Sequence, residues 1–152
     1  MDITRLNQKS KCIFAVELAK KASSYIEEYN IKNLIDEAIE VGEKWIRTEE
    51  NAGEILYNFL DNEENGFTLF QEMEEDERNI SAWNCIIDAI AYISKMAYEK
   101  EGVKYLPEPI EIVNDNIFSH MIYSLTLCSS MEREYIEDVY QRCLEKGENG
   151  IS

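Results

Sequence analysis

The segment from about Ile80 to Tyr98 constrains the fold more than any other part of the chain. Trp83, Ile86, Ile87, Ile90, Ile93, Met96 and Ala97 place apolar side chains around most of a helix circumference. Only a narrow polar strip interrupts them, made of Ser81, Asn84, Asp88 and Lys95. A helix that is apolar on nearly every side has to be covered on nearly every side, so it is predicted to be the central member of a bundle.

The flanking segments supply the covering helices. Phe14, Leu18, Ala22, Tyr25 and Tyr29 recur at spacings of four and three, the signature of one face of a long first helix. Leu34, Ala38, Val41 and Trp45 repeat it, and Ala52, Ile55, Leu56, Phe59 and Leu60 form a third stripe. Phe67, Phe70 and Met73 follow the turn-favouring pair Asn65-Gly66. Gly102 is placed to stop the central helix. Leu106-Pro107-Glu108-Pro109 reads as an extended connection, because proline has no amide donor for a helix interior. Val113, Ile117, Met121 and Leu125 give a further stripe, and Ser129-x-x-Glu132 has capping-box spacing ahead of Tyr135, Val139 and Cys143. That last helix is predicted to end near Gly147, with residues 148–152 as a frayed tail. No run alternates with period two. The expected fold is an all-α helical bundle of about six or seven helices, a single domain over residues 1–147.

Charge narrows the partners. The 152 residues carry 31 Asp and Glu against 15 Lys and Arg, a formal net charge of −16. Phosphate contacts need lysine and arginine in excess, so direct binding to nucleic acid is disfavoured, and so is adsorption to an anionic membrane. The acids are also concentrated. Residues 43–77 hold twelve carboxylates against Lys44 and Arg47, a net charge of −10 in 35 residues. A surface built for solubility would intersperse the signs. A field this one-sided suits steering and docking of a basic partner. The expected docking residues are Glu49, Glu50, Glu54, Asp61, Glu63, Glu64 and Glu72, with Glu74, Glu75, Asp76 and Glu77 as a second cluster. Glu50, Glu54 and Asp61 are expected on one side of a helix whose other side sends Ile55, Leu56 and Phe59 to the core.

The first residues show no secretory signal, and no stretch reaches the roughly 20 apolar residues of a membrane span. Cys12, Cys85, Cys128 and Cys143 contain no Cys-x-x-Cys pair and lie in apolar helical contexts, which fits reduced, buried thiols in the cytoplasm.

Catalytic and metal signatures are sparse. The single histidine, His120, has Ile117 three positions earlier, so the Glu-x-x-His motif of di-metal bundles is absent, and its apolar neighbours point to a structural role. Glu37-x-x-Glu40-x-x-Glu43 matches half of the magnesium site of helical pyrophosphohydrolases, but no Glu-x-x-Asp follows to complete it. No glycine-rich phosphate loop or Gly-x-Ser-x-Gly occurs. A thiol could still meet His120 in space, which would require a low-pKa cysteine. The expectation is a protein that is not an enzyme and holds no metal or cofactor.

Five stretches together resemble a known family. They are Glu64-Asn65-Gly66-Phe67, Ala82-Trp83, Asp88-Ala89-Ile90-Ala91-Tyr92, Ala97-Tyr98-Glu99 and Tyr105-Leu106-Pro107-Glu108-Pro109-Ile110-Glu111. Over about Leu56 to Asn116 the chain is similar to the small helical immunity proteins encoded beside toxins in bacterial polymorphic-toxin and contact-dependent inhibition systems, within them to immunity family six. The resemblance implies a cytosolic, non-enzymatic protein that binds one cognate toxin C-terminal domain and blocks it. It supplies no catalytic residue, and Trp83, which opens the apolar helix, is expected in the core. Charge adds that the toxin domain is basic, as toxins that attack nucleic acid are. An acidic helical adaptor with an unrelated partner and a magnesium-dependent helical hydrolase are the alternatives.

Overall fold

The computed structural model describes residues 1–148. Among them are eight α-helices and no strand, where six or seven helices were expected. After a one-turn 3-10 helix at Ile3–Arg5 come α1 (Gln8–Ser23), α2 (Tyr29–Thr48), α3 (Gly53–Leu60) and α4 (Phe67–Met73). They are followed by α5 (Glu77–Lys100), α6 (Glu108–Glu111), α7 (Ile117–Cys128) and α8 (Glu132–Glu148).

The additional helix is α6, where the sequence suggested an extended connection. Pro107 caps it and Pro109 stands in its first turn, where no amide donor is needed. Val113 is buried in the loop before α7 and does not belong to that helix. The long first helix also divides. The Ser23 and Ser24 hydroxyls turn back onto the carbonyls of Lys20 and Lys21 at 2.8 and 2.6 Å, and α1 ends there. Glu28 then caps α2 by accepting from the Ile31 amide at 2.6 Å, so Tyr29 opens a new helix and is exposed.

At α8 the capping box is not closed as the spacing suggests. The Ser129 hydroxyl accepts from the Met131 amide at 3.2 Å. The Glu132 carboxylate turns inward, is buried, accepts from the Tyr25 hydroxyl at 3.1 Å and faces Lys21 at 3.7 Å. The helix runs to Glu148, next to the expected end at Gly147, and residues 149–152 of the expected tail lie outside the described residues.

α5 occupies the centre. Thirteen of its 24 residues are buried, and it packs chiefly against α1, α3 and α7, with α2, α4 and α6 around them. Two aromatic clusters fill its flanks. Phe14 stacks on Phe118 and meets Tyr140 edge-on, and Tyr92 meets Phe118 at 4.8 Å, which joins α1, α5, α7 and α8. On the other flank Phe67 and Phe70 lie 5.3 and 5.8 Å from Trp83, which is buried as expected. Each such pair adds about 0.5–1.5 kcal/mol beyond the area it buries. Gly102 adopts a φ of 74°, a left-handed conformation that ends α5 where the sequence placed the stop.

Candidate functional site

The acidic segment is a strap laid along α5. At the C-terminal end of α5, the Glu101 carboxylate accepts from the amides of Ala52 and Gly53 at 3.1 and 3.0 Å, capping the start of α3. The Ser94 hydroxyl donates to the Gly53 carbonyl at 2.8 Å. Farther along, Phe67 and Phe70 of α4 pack on Trp83, and Gln71 donates to Asn84. The segment α3–α4 therefore runs antiparallel to α5 and is fastened at both ends. Leu56, Leu60 and Phe67 face inward and are buried, while the acids between them face out.

Each expected docking residue can now be placed. Glu49 closes α2 with a φ of 56° and faces Lys100 at 3.5 Å. Glu50 follows it, 3.8 Å from Lys44. Glu54 is exposed on α3, and Asp61 accepts from the Tyr57 hydroxyl at 2.9 Å just past its end. Glu63 and Glu64 are exposed in the turn before α4, and Glu72 is exposed on α4. Glu74 and Asp76 serve the fold: Asp76 caps α5 through the Asn79 amide at 3.0 Å, and Glu74 accepts from the Asp76 amide at 3.2 Å. Glu75 and Glu77 are exposed beside them.

Glu50, Glu54 and Asp61 do not share one helix face as the spacing suggested. Glu50 precedes α3, Asp61 follows it, and Ile55, expected in the core, is 51% exposed. Glu49 sits beside Lys100 at one end of α5 and Glu77 begins the other, so at 1.5 Å per residue the acids are spread over about 35 Å. They form a line, not a single cluster.

Midway along that line lies a groove of about 470 Å³. Its floor is Ile87, Asp88 and Ala91 of α5; Tyr57, Leu60 and Asp61 form one wall, and the α6–α7 segment from Pro109 to Ile117 forms the other. The polar strip of α5 builds this groove. Lys95 donates to the carbonyls of Glu111 (2.9 Å) and Val113, holding the far wall to α5. Asp88 bonds to the Nδ1 of His120, and Asn84 holds Gln71. His120 is thus not a core histidine: it is 56% exposed at the surface of α7. Burial pushes the Asp88 carboxyl above its ordinary range, although the His120 hydrogen bond and charge pull the other way. Sequence reasoning missed the groove, since its lining comes from five helices, and only Asp61 among the expected docking residues and Asp88 in the polar strip fall in it.

Other chemistry finds little support. Burial pushes the Cys12 thiol to about 12 and those of Cys128 and Cys143 to about 11, and Cys85 also moves upward, the opposite of an activated nucleophile. Cys12, Cys85 and Cys143 are buried and Cys128 is partly so, all unpaired by disulfides. Glu37 and Glu40 are exposed on α2, and Glu43 is taken by Lys20 at 2.8 Å. Among the described residues no three His, Cys, Asp or Glu side chains converge to hold a metal ion. Among them, too, no helix is long and apolar enough to cross a membrane.

A family model described as immunity protein Imm6 matches residues 10–128, from α1 to the end of α7. No curated protein matches the chain, and no solved structure does.

Proposed function

The chain belongs to the Imm6 immunity protein family, and from that premise we propose that it binds one cognate toxin domain stoichiometrically and blocks it without catalysis. The observation that carries the mode of binding is the acidic line from the end of α2 along α3 and α4 to the start of α5, ten net negative charges over residues 43–77. Such a line recruits a basic partner quickly, with association rate constants on the order of 10⁸–10⁹ M⁻¹s⁻¹ at low salt. The partner it suits is a toxin domain with a basic cleft, of the kind that acts on nucleic acid, where carboxylates stand in for phosphates. Its place of action is the cytoplasm of the producing cell.

Co-expression with the toxin domain encoded beside this chain tests the reading. Growth should be restored by the intact protein. Reversal of Glu50, Glu54, Glu72, Glu75 and Glu77 to lysine spares the capping residues Glu74 and Asp76, and all five positions are exposed. Exposed changes usually cost little stability. The reversal should slow association and flatten its salt dependence, because steering is screened over about 8 Å at physiological ionic strength. An unchanged association rate at both low and high salt would reduce the acidic line to a solubility device.

A further inference from the structure

We propose that the groove at the middle of the acidic line is the anchor point of the complex: it receives a lysine or arginine of the toxin domain flanked by aliphatic side chains, the cation meeting Asp88 and its stem lying on Ile87, Ala91 and Ile112. This rests on the toxin-binding reading above and adds to it the place and chemistry of the central contact.

Three features of the groove carry the assignment. Its lining is largely apolar, yet holds two carboxylates, Asp61 and Asp88, and no lysine or arginine. An anion is therefore repelled and a cation with an apolar stem is matched on both counts. Asp88 lies on the floor with its side chain only 17% exposed. The bond from His120 offsets only part of the cost of burying this carboxylate, as the upward push on its titration indicates, and a cation arriving from a partner would relieve the rest. The mouth carries Ile112, 74% exposed, a large apolar side chain that the isolated fold leaves in water. At about 470 Å³ the space falls within the roughly 300–1,000 Å³ of ordinary binding sites, enough for a cationic side chain with its apolar neighbours. The far wall is held in place by Lys95, so the groove is formed before the partner arrives.

The acidic line and the groove divide the work, and rate measurements separate them. Charges at the rim act on association, whereas a desolvated pair at the centre acts on dissociation. The test uses the toxin domain encoded beside this chain, with stopped-flow association and dissociation at low and high salt, on wild type, Asp88→Asn, Ile112→Arg and Ile112→Glu. Asp88→Asn should speed dissociation at least about tenfold with little change in association. Ile112→Arg, which places a cation at the mouth, should weaken binding at least about tenfold, and Ile112→Glu by no more than about threefold. If Asp88→Asn fails to fold by circular dichroism, the exposed Ile112 pair decides alone. Binding of Asp88→Asn and Ile112→Arg within about twofold of wild type overturns the groove and leaves the toxin-binding reading standing. Equal damage from Ile112→Arg and Ile112→Glu overturns the cation match. Failure of the wild type itself to bind overturns the function and the groove with it.

Discussion

Gly53 lies so close to Tyr98 that a β-carbon added to it would stand 2.7 Å from the Tyr98 ring. The contact seats the start of the acidic strap on the central helix. Tyr98 is buried and cannot swing aside without moving α5. Gly53→Ala should therefore destabilise the protein by about 1–3 kcal/mol, lowering the melting temperature by roughly 3–10 °C. Circular dichroism melts check this, and an unchanged melting temperature would mean that α3 can lift away at no cost.

Asp88 should give a pH signature. Its carboxyl titrates above the ordinary range in the folded protein, so the folded state holds that proton to higher pH than the unfolded chain. The associated stability is fully present below the unfolded value and is lost as pH rises through the raised folded value. Asp88→Asn, neutral throughout, should therefore be more stable than wild type at neutral pH, and the difference should close on acidification. Paired thermal melts from pH ~7 down to ~3.5 test it. A difference independent of pH would show that the carboxyl does not titrate in this environment.

Glu49 offers an experiment in which stability and binding separate. It is a non-glycine residue at a φ of 56°, and its pairing with Lys100 at 3.5 Å is solvent-exposed. Exposed pairs contribute little, while the left-handed backbone costs about 1–2 kcal/mol. Glycine there should raise stability by up to about 1 kcal/mol once its greater unfolded entropy is counted. The same substitution removes a carboxylate from the docking line and should slow association with the toxin domain. Denaturant unfolding and stopped-flow binding, run on the one variant, read the two effects.

The family match stops at residue 128, yet α8 is part of the core. Ile136, Val139 and Tyr140 are buried, Tyr140 meets Phe14, and its hydroxyl donates to the Asp2 carbonyl at 2.7 Å. The buried Glu132 carboxylate holds Tyr25 from the same helix. A chain ending at Ser130 would uncover the edge of Phe14 that Tyr140 covers and should lose cooperative unfolding, which calorimetry measures directly.

The central helix is legible in the sequence because its apolar residues exceed what one helix face can hold. α6 is not, because two prolines signal a break, and only the cap and first-turn positions that Pro107 and Pro109 take make a helix possible there. The division after Ser23 is hidden by a stripe that happens to run on to Tyr29 across two helices. The acidic residues are legible as a set, but their arrangement in a line follows from the antiparallel course of α3 and α4, which no local pattern records. Asp88 and Lys95 are visible as a polar strip. A strip alone does not distinguish a solvated face from one that clamps neighbouring helices.

The course of the strap along α5 has a consequence for how long a complex would last. Contacts about 35 Å apart at its two ends behave as linked, separate attachments. A partner that releases one end stays tethered by the other, and the freed end faces its site again at a high effective concentration. Full escape requires both ends to open together. Residence time would then grow faster than the strength of any one contact, and the two ends would lengthen it beyond what the central groove supplies alone.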